Sequence, residues 1–154
     1  MSKWVHVASD HNGNAARAWV LDVLKTIPDV TSVTDHGPTE ADGKVDYPDY
    51  SERVCFGIDF SSNPLTYGIL ICGTGTGMCI TANKHWGIRA GLATDRATAL
   101  LMRQHNDCNV LVMGQWRNSL SEMEEMVRTF LATPFGEGRH AARVDKVWRL
   151  ERRP

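Results

Sequence analysis

Residues 68–77 read GILICGTGTG, an apolar run that ends in a cysteine and opens at once into a turn with glycine at every second position. Ile69–Cys72 suits a short strand buried inside a sheet, and the following segment, Met78 to Lys84, suits a helix. A chain that passes from a buried strand through Gly73-Thr74-Gly75-Thr76-Gly77 into a helix exposes backbone N–H groups beside the sulfur. Cys72 then becomes a reactive group facing an anion hole. The same residues also suit a buried, inert cysteine at a strand end.

Three better-known glycine loops fail on spacing. A dinucleotide fingerprint begun at Gly73 requires glycine at position 78 and meets Met78, although Asp95 stands near the distance of a ribose-binding acid. A P-loop requires Gly-Lys-Ser/Thr, whereas Gly77 is followed by Met78 and Cys79. A cysteine-phosphatase cradle requires arginine six positions beyond the nucleophile, which is again Met78. What is left is a cysteine with donors and no cation for phosphate in its own loop.

Around this segment short apolar strands alternate with amphipathic helices. Strands are expected at Trp4–Ala8, Val30–Asp35, Gly68–Cys72, Ile88–Ala93 and Val110–Met113. Helices are expected near Ala15–Thr26, Tyr50–Phe60, Met78–Lys84, Thr94–Gln104 and Ser119–Leu131, with a last one from about Arg139 to Glu151. The alternation predicts an α/β fold, Rossmann-like, in which a five-stranded parallel sheet lies between helices in three layers, α/β/α. Asp35 to Pro48, rich in Gly, Pro and Asp, reads as a long surface loop, and no linker or repeat divides residues 1–154 into more than one domain.

Composition removes several function classes. Lys and Arg number 17 against 18 Asp and Glu, a net charge of -1, so no global field points to nucleic acid or to an acidic membrane. The four cysteines form no C-x-x-C pair, and no leader or apolar run near the ~20 residues of a membrane span accompanies them, which sets the expectation of a reduced, cytoplasmic protein. His105 and Cys108 have the spacing of half a zinc site, but no second pair completes it, so no metal is expected.

In an open parallel sheet, ligands bind beyond the carboxyl ends of the strands. Strand one ends in Ser9-Asp10-His11-Asn12-Gly13 and strand three in Cys72 and its turn. The fourth helix runs into Arg103-Gln104-His105-Asn106-Asp107 just before strand five, so His105 falls at the opposite end of the sheet from Cys72, unless the helix ends early or a neighbouring subunit supplies it.

Several of these motifs, in this order, resemble the ribose-5-phosphate isomerase B and galactose-6-phosphate isomerase family. They are Ser9-Asp10-His11, Val45-Asp46-Tyr47-Pro48, GILICGTGTGM, Ala82-Asn83-Lys84, Gly87-Ile88-Arg89-Ala90, Arg103 to Asp107 and Gly138-Arg139-His140, and they cover nearly the whole chain. The resemblance implies a parallel five-stranded sheet, a homodimer or a tetramer with sites at the subunit interface, a small sugar phosphate as substrate, and neither metal nor organic cofactor. It implies an aldose–ketose isomerisation through an enediol with Cys72 as base, a role that a helix N-terminus and donor-rich turn suit by favouring thiolates.

By the same resemblance the N–H groups from Gly73 through Gly75 and Thr76 to Gly77 hold the developing enediolate, and Thr74 steadies or shuttles a hydroxyl proton. His105 opens the sugar ring with Asp10 as partner or hydroxyl acceptor, and Asn106 and Asp46 contact sugar hydroxyls. Phosphate falls to Arg139 and Arg143, four apart on one helix face, with His140 and His11 adding donors. A solvated basic tail is the other reading of those arginines, since Lys146, Arg149, Arg152 and Arg153 follow.

One position departs from the family pattern. Gly-x-Arg after strand five is here Gly114-Gln115-Trp116-Arg117. Arg117 then substitutes for the missing arginine, or phosphate is held less firmly, or the substrate is not ribose 5-phosphate but an allose, galactose or tetrose phosphate; Trp116 can instead pack at an interface. A nucleotide-binding module and a catalytically silent sugar-phosphate binder are the readings from other classes. Retention of Cys72, Thr74, Asp10 and His105 together favours the isomerase.

Overall fold

The computed structural model describes residues 1–151; Arg152 and Arg153 of the basic tail lie outside them. In chain order the elements are β1 (Lys3–Ser9), α1 (Asn14–Lys25), β2 (Val30–Asp35), α2 (Tyr47–Gly57), β3 (Thr66–Cys72), α3 (Thr76–Ala82), β4 (Ala90–Leu92), α4 (Arg96–Asn106), β5 (Val110–Gly114), α5 (Leu120–Ala132) and α6 (Arg139–Leu150). The strands form one sheet in the order β2-β1-β3-β5-β4, and every pairing is parallel. No helix among the described residues is long and apolar enough to cross a membrane.

Burial explains the order. β3 is buried along its whole length, as a central strand covered on both faces must be, whereas β2, with Thr, Ser and Asp among its residues, is mostly exposed at one edge. Side chains alternate across the sheet. Val5, Val7, Ile69, Ile71, Leu111 and Met113 join one core with residues of α1, α4 and α5, among them Leu24, Ala99 and Phe130. Ala8, Leu70, Cys72, Val110 and Val112 join the other with Tyr50 and Val54 of α2 and Met78 and Ala82 of α3. The result is the expected three-layer α/β/α fold.

The predicted elements are all present; α3 starts and ends two residues earlier than expected, α4 two residues later, and two further boundaries shift more. Asp35 to Pro48 is not loop throughout: Thr39 and Asp42 form a capping box around a 3-10 turn at Glu40–Asp42, and α2 already starts at Tyr47. Pro48 sits in its first turn, where a missing N–H costs nothing. Strand β4 is also only three residues long, against the six expected from the apolar pattern.

Gly57 lets the end of α2 approach a histidine pair. A Cβ there would lie 2.5 Å from His6 Nδ1, and that nitrogen is 2.9 Å from His36 Nε2, with the rings stacked at 5.2 Å. Burial lowers the pKa of His6 below 6.5, helped by His36. Burial lowers His36 as well, the nearby Asp35 opposing and Arg53 of α2 assisting. Both rings are therefore held neutral in the fold, and the unfolded chain binds protons more readily. The stability this gives is fully present above the ordinary histidine value and is lost as pH falls through the lowered ones. Thermal midpoints recorded between about pH 7.5 and about pH 5 should fall more for the wild type than for His36→Gln, which bonds but does not titrate in that range. Equal falls would remove the pair from the acid response.

Candidate active site

Chain order reverses direction between β1 and β3, since β2 lies on one side of β1 while β3 and the later strands lie on the other. A crevice at such a switch point is where ligands of open α/β sheets bind. Asp10 and His11 follow β1, and Cys72 ends β3, so the topology brings these two sequence-predicted clusters to one place. Asp10 is buried and caps the 3-10 turn of residues 11–13, accepting the N–H groups of Asn12 at 2.9 Å and Gly13 at 3.1 Å. His11 Nδ1 lies 3.2 Å from both the N–H and the carbonyl oxygen of Val45, which holds the ring against the segment leading into α2. Asp46, the exposed residue before α2, makes no side-chain cap bond, so its carboxylate is open.

The alternate glycines have three different reasons. At Gly73 a Cβ would lie 2.8 Å from the indole of Trp116, which covers that residue. At Gly77 it would lie 2.5 Å from the ring of Tyr47. Gly75 has φ +82, and a Cβ there would meet Leu92 at 2.4 Å and the Met113 backbone at 3.1 Å. The turn is thus the floor between two aromatic rings. Cys72 is 5% exposed, and the Gly75 N–H donates to its sulfur at 3.1 Å. Thr74 Oγ1 accepts the N–H of Thr76 at 3.3 Å, which fixes its hydroxyl beside the start of α3.

The other cysteines are poor nucleophiles. Burial pushes the thiols of Cys55 and Cys108 up to about 11 and raises that of Cys79, so all three stay protonated at neutral pH.

His105 lies where the sequence order puts it, away from Cys72. Helix α4 does not end early: it runs to Asn106, and β5 then starts at Val110 opposite Gly68 of β3, while Cys72 is opposite Gly114. Those four steps at about 3.3 Å each separate the two ends by roughly 13 Å. Asp10 is therefore not the neighbour of His105 within one chain. His105 instead stacks on His140 of α6, ring centroids 4.2 Å apart, and both line a groove of about 960 Å³ with Asn106 and Arg143. Burial and the neighbouring His105, Arg139 and Arg143 lower the pKa of His140. Arg139, exposed, opens α6 immediately before it.

Two residues of the Arg103–Asp107 motif are scaffold. Arg103, 6% exposed, donates to Asp107 Oδ1 at 2.8 Å, to the Cys108 carbonyl at 2.6 Å and to the Thr133 carbonyl at 3.2 Å. Asp107, in a left-handed conformation that ends α4, also accepts Arg89 at 2.9 Å. Gly136 donates its N–H to the Gln104 carbonyl at 2.9 Å, which docks the segment leading into α6 on this same end. On the far wall of the groove the Asn83 side chain bonds both backbone groups of Ala90 at 2.9 Å.

One reading changes here. Asp95, the candidate ribose acid, is the N-cap of α4, accepting the Thr98 N–H at 2.6 Å. Arg117, exposed, follows Trp116 on the turn after β5, where its N–H donates to the Gly114 carbonyl at 3.0 Å. Tyr47 was legible only as part of a motif: nothing in the spacing of residues 47 and 77 says that the ring of one lies on the other.

Fold and clusters together define a doubly wound α/β protein with a cysteine at the switch point of its sheet and a separate groove lined by His105, His140 and Arg143. The chain belongs to the ribose/galactose isomerase family, whose model matches residues 5–147. It is 41% identical over 152 residues to the probable ribose-5-phosphate isomerase B of Mycoplasma pneumoniae, covering 99% of this chain and 97% of that protein. Against ribose-5-phosphate isomerase B of Escherichia coli it is 39% identical over 121 residues, 79% of each chain. The structure of ribose-5-phosphate isomerase B from Mycoplasma genitalium with bound ribulose 5-phosphate matches with a TM-score of 0.92 and 39% identity, over 100% of this chain and 99% of that one. The Leishmania infantum type B enzyme matches at 0.90 and 40%, over 99% and 98%.

Gly75→Ala should destabilise the protein by at least about 1–3 kcal/mol, because it adds left-handed strain to a contact with Met113 backbone that cannot move aside. Asp107→Ala should cost about 1.5–3 kcal/mol by unpairing Arg103 and Arg89. Urea denaturation of each purified variant reads both.

Proposed function

We propose that this chain is an aldose–ketose isomerase that interconverts ribose 5-phosphate and ribulose 5-phosphate by proton transfer. Cys72 carries the reading: a thiol at the switch-point crevice, with the Gly75 N–H on its sulfur and His11 nearby on the neighbouring strand end. As thiolate, Cys72 takes the proton from C2 of the opened aldose and returns it to C1, while the hydroxyl proton on O2 moves to O1. No electrons leave the sugar, so the step needs no redox partner. Turn N–H groups stabilise the enediolate, worth about 3 kcal/mol per donor where such donors have been removed. Thr74 steadies the moving hydroxyl proton, and Asp46, Asn106 and Asp10 contact sugar hydroxyls. The named activities of the relatives and the ribulose 5-phosphate bound to the Mycoplasma genitalium enzyme support this substrate.

The working unit in this reading is a homodimer in which His105, Asn106, Arg139, His140 and Arg143 of one subunit face Cys72 of the other. Helix α6 has no buried residue, yet Val144, Val147, Trp148 and Leu150 give it an apolar stripe. Exposed Val147, Leu150 and Trp86 border the groove that holds the two histidines. A second copy covering this stripe completes the site. His105 then opens the furanose, and the arginines, with His11 and Arg117, hold the phosphate.

Cys72→Ala should lower kcat by roughly 10²–10⁴-fold with the fold intact, and solvent deuterium should enter the transferred carbon position during wild-type turnover. Near-wild-type rates in Cys72→Ala would make it a packing residue. Mixing inactive Cys72→Ala and His105→Asn subunits should restore about a quarter of wild-type activity, since hybrid dimers hold one intact site. No recovery after exchange of subunits would remove the composite arrangement.

A further inference from the structure

Trp116 is 69% exposed, the state of a residue with no packing duty, yet its backbone is tied to the site. Its N–H donates to the Gly73 carbonyl at 2.9 Å, and the Gln115 N–H donates to the Cys72 carbonyl at 2.9 Å. Gln115 is itself anchored, its Oε1 accepting the Ala16 N–H at 3.3 Å. These bonds fix the Cα of residue 116 beside the base, and the ring has settled flat enough on Gly73 that three indole atoms lie 2.8–2.9 Å from where a Cβ would stand. One side of the indole is thereby closed against the glycine. Most of the rest is exposed, and that glycine is one residue along the chain from Cys72.

A fixed indole with one face against the floor of a polar crevice offers a flat, apolar, weakly negative surface of a kind that suits the C–H side of a carbohydrate and ill suits a phosphate dianion. The groups that suit the dianion, His140 and Arg143, lie in the α6 groove instead. We infer that Trp116 is a specificity-determining residue: its indole is the wall against which the carbon chain of the open sugar rests beside Cys72, so that selection at this wall is by carbon contact and not by charge. This deepens the isomerase reading and rests on it. The contact exists in substrate and transition state alike, so its loss appears in KM and leaves kcat nearly unchanged.

The experiment compares wild type, Trp116→Phe, Trp116→Ala and Trp116→Arg on ribose 5-phosphate and on aldose phosphates of four and six carbons, with the oligomeric state of each recorded. Trp116→Ala should raise KM for ribose 5-phosphate about tenfold with kcat held, and should narrow the ratio of kcat/KM among chain lengths. Trp116→Phe should retain most of the wild-type preference. Trp116→Arg should make KM for ribose 5-phosphate more salt-dependent than in the wild type, since a further charge joins those that hold the phosphate. The emission difference between wild type and Trp116→Phe isolates residue 116, and ribulose 5-phosphate should quench it. Unchanged KM and chain-length preference in Trp116→Ala would overturn the inference, as would loss of the dimer with normal KM in what remains assembled. Wild-type protein that turns over none of these sugars would overturn the isomerase reading instead.

Discussion

The pairing of β3 with β5 in the register Cys72 to Gly114 is what the site is built on. It sets the turn after one strand against the turn after the other, close enough that a Cβ on Gly114 would lie 2.6 Å from the Thr74 carbonyl. From that single juxtaposition follow the bonds from residues 115 and 116 to Cys72 and Gly73, the position of the indole, and the wall of Met113 that only a glycine at 75 can meet. A slip of one residue would turn Cys72 to the opposite core and bring a side chain against the Thr74 carbonyl. The buried Ile69, Leu70 and Ile71 fix the register by requiring both faces of β3 to be covered.

Much of this was legible because the signals are local. Periodicity placed all five strands and the helices, and the cysteine at the end of an apolar run marked the crevice. The resemblance supplied the family. The start of α2 slipped because Pro48 opens the helix instead of ending the loop before it, and β4 shortened because only three of its residues pair with β5. Asp95 misled for a related reason: an acid before a helix caps it far more readily than it waits for a ribose. Side-chain approaches across long sequence separations, Tyr47 on Gly77 and Trp116 on Gly73, have no periodic signature, and the His6–His36 bond has none either. They follow from topology, which a single sequence leaves open.

The distance between Cys72 and His105 was legible too, and its physical basis is simple. In a parallel βα sheet a residue at a strand's carboxyl end and a residue at the carboxyl end of a helix lie at opposite ends. Chemistry that needs both has to borrow one of them. Helix α6 is held at this end: Arg103 and Asp107 fix the end of α4, Gly136 docks on it, and His140 is delivered onto His105 by a helix on which Val147 and Leu150 are exposed.

The bond pattern of Asn83 carries a last implication. A parallel sheet has to stop somewhere, and at β4 it stops on a strand of three residues whose outward N–H and C=O would otherwise invite another chain. The primary amide of Asn83 gives Ala90 one donor and one acceptor, as a peptide group of a sixth strand would, and no further backbone follows it. One side chain thus acts as a chain terminator for the sheet. It takes up the outward N–H and C=O of Ala90, so that at this edge the first residue of β4 offers neither group to another chain.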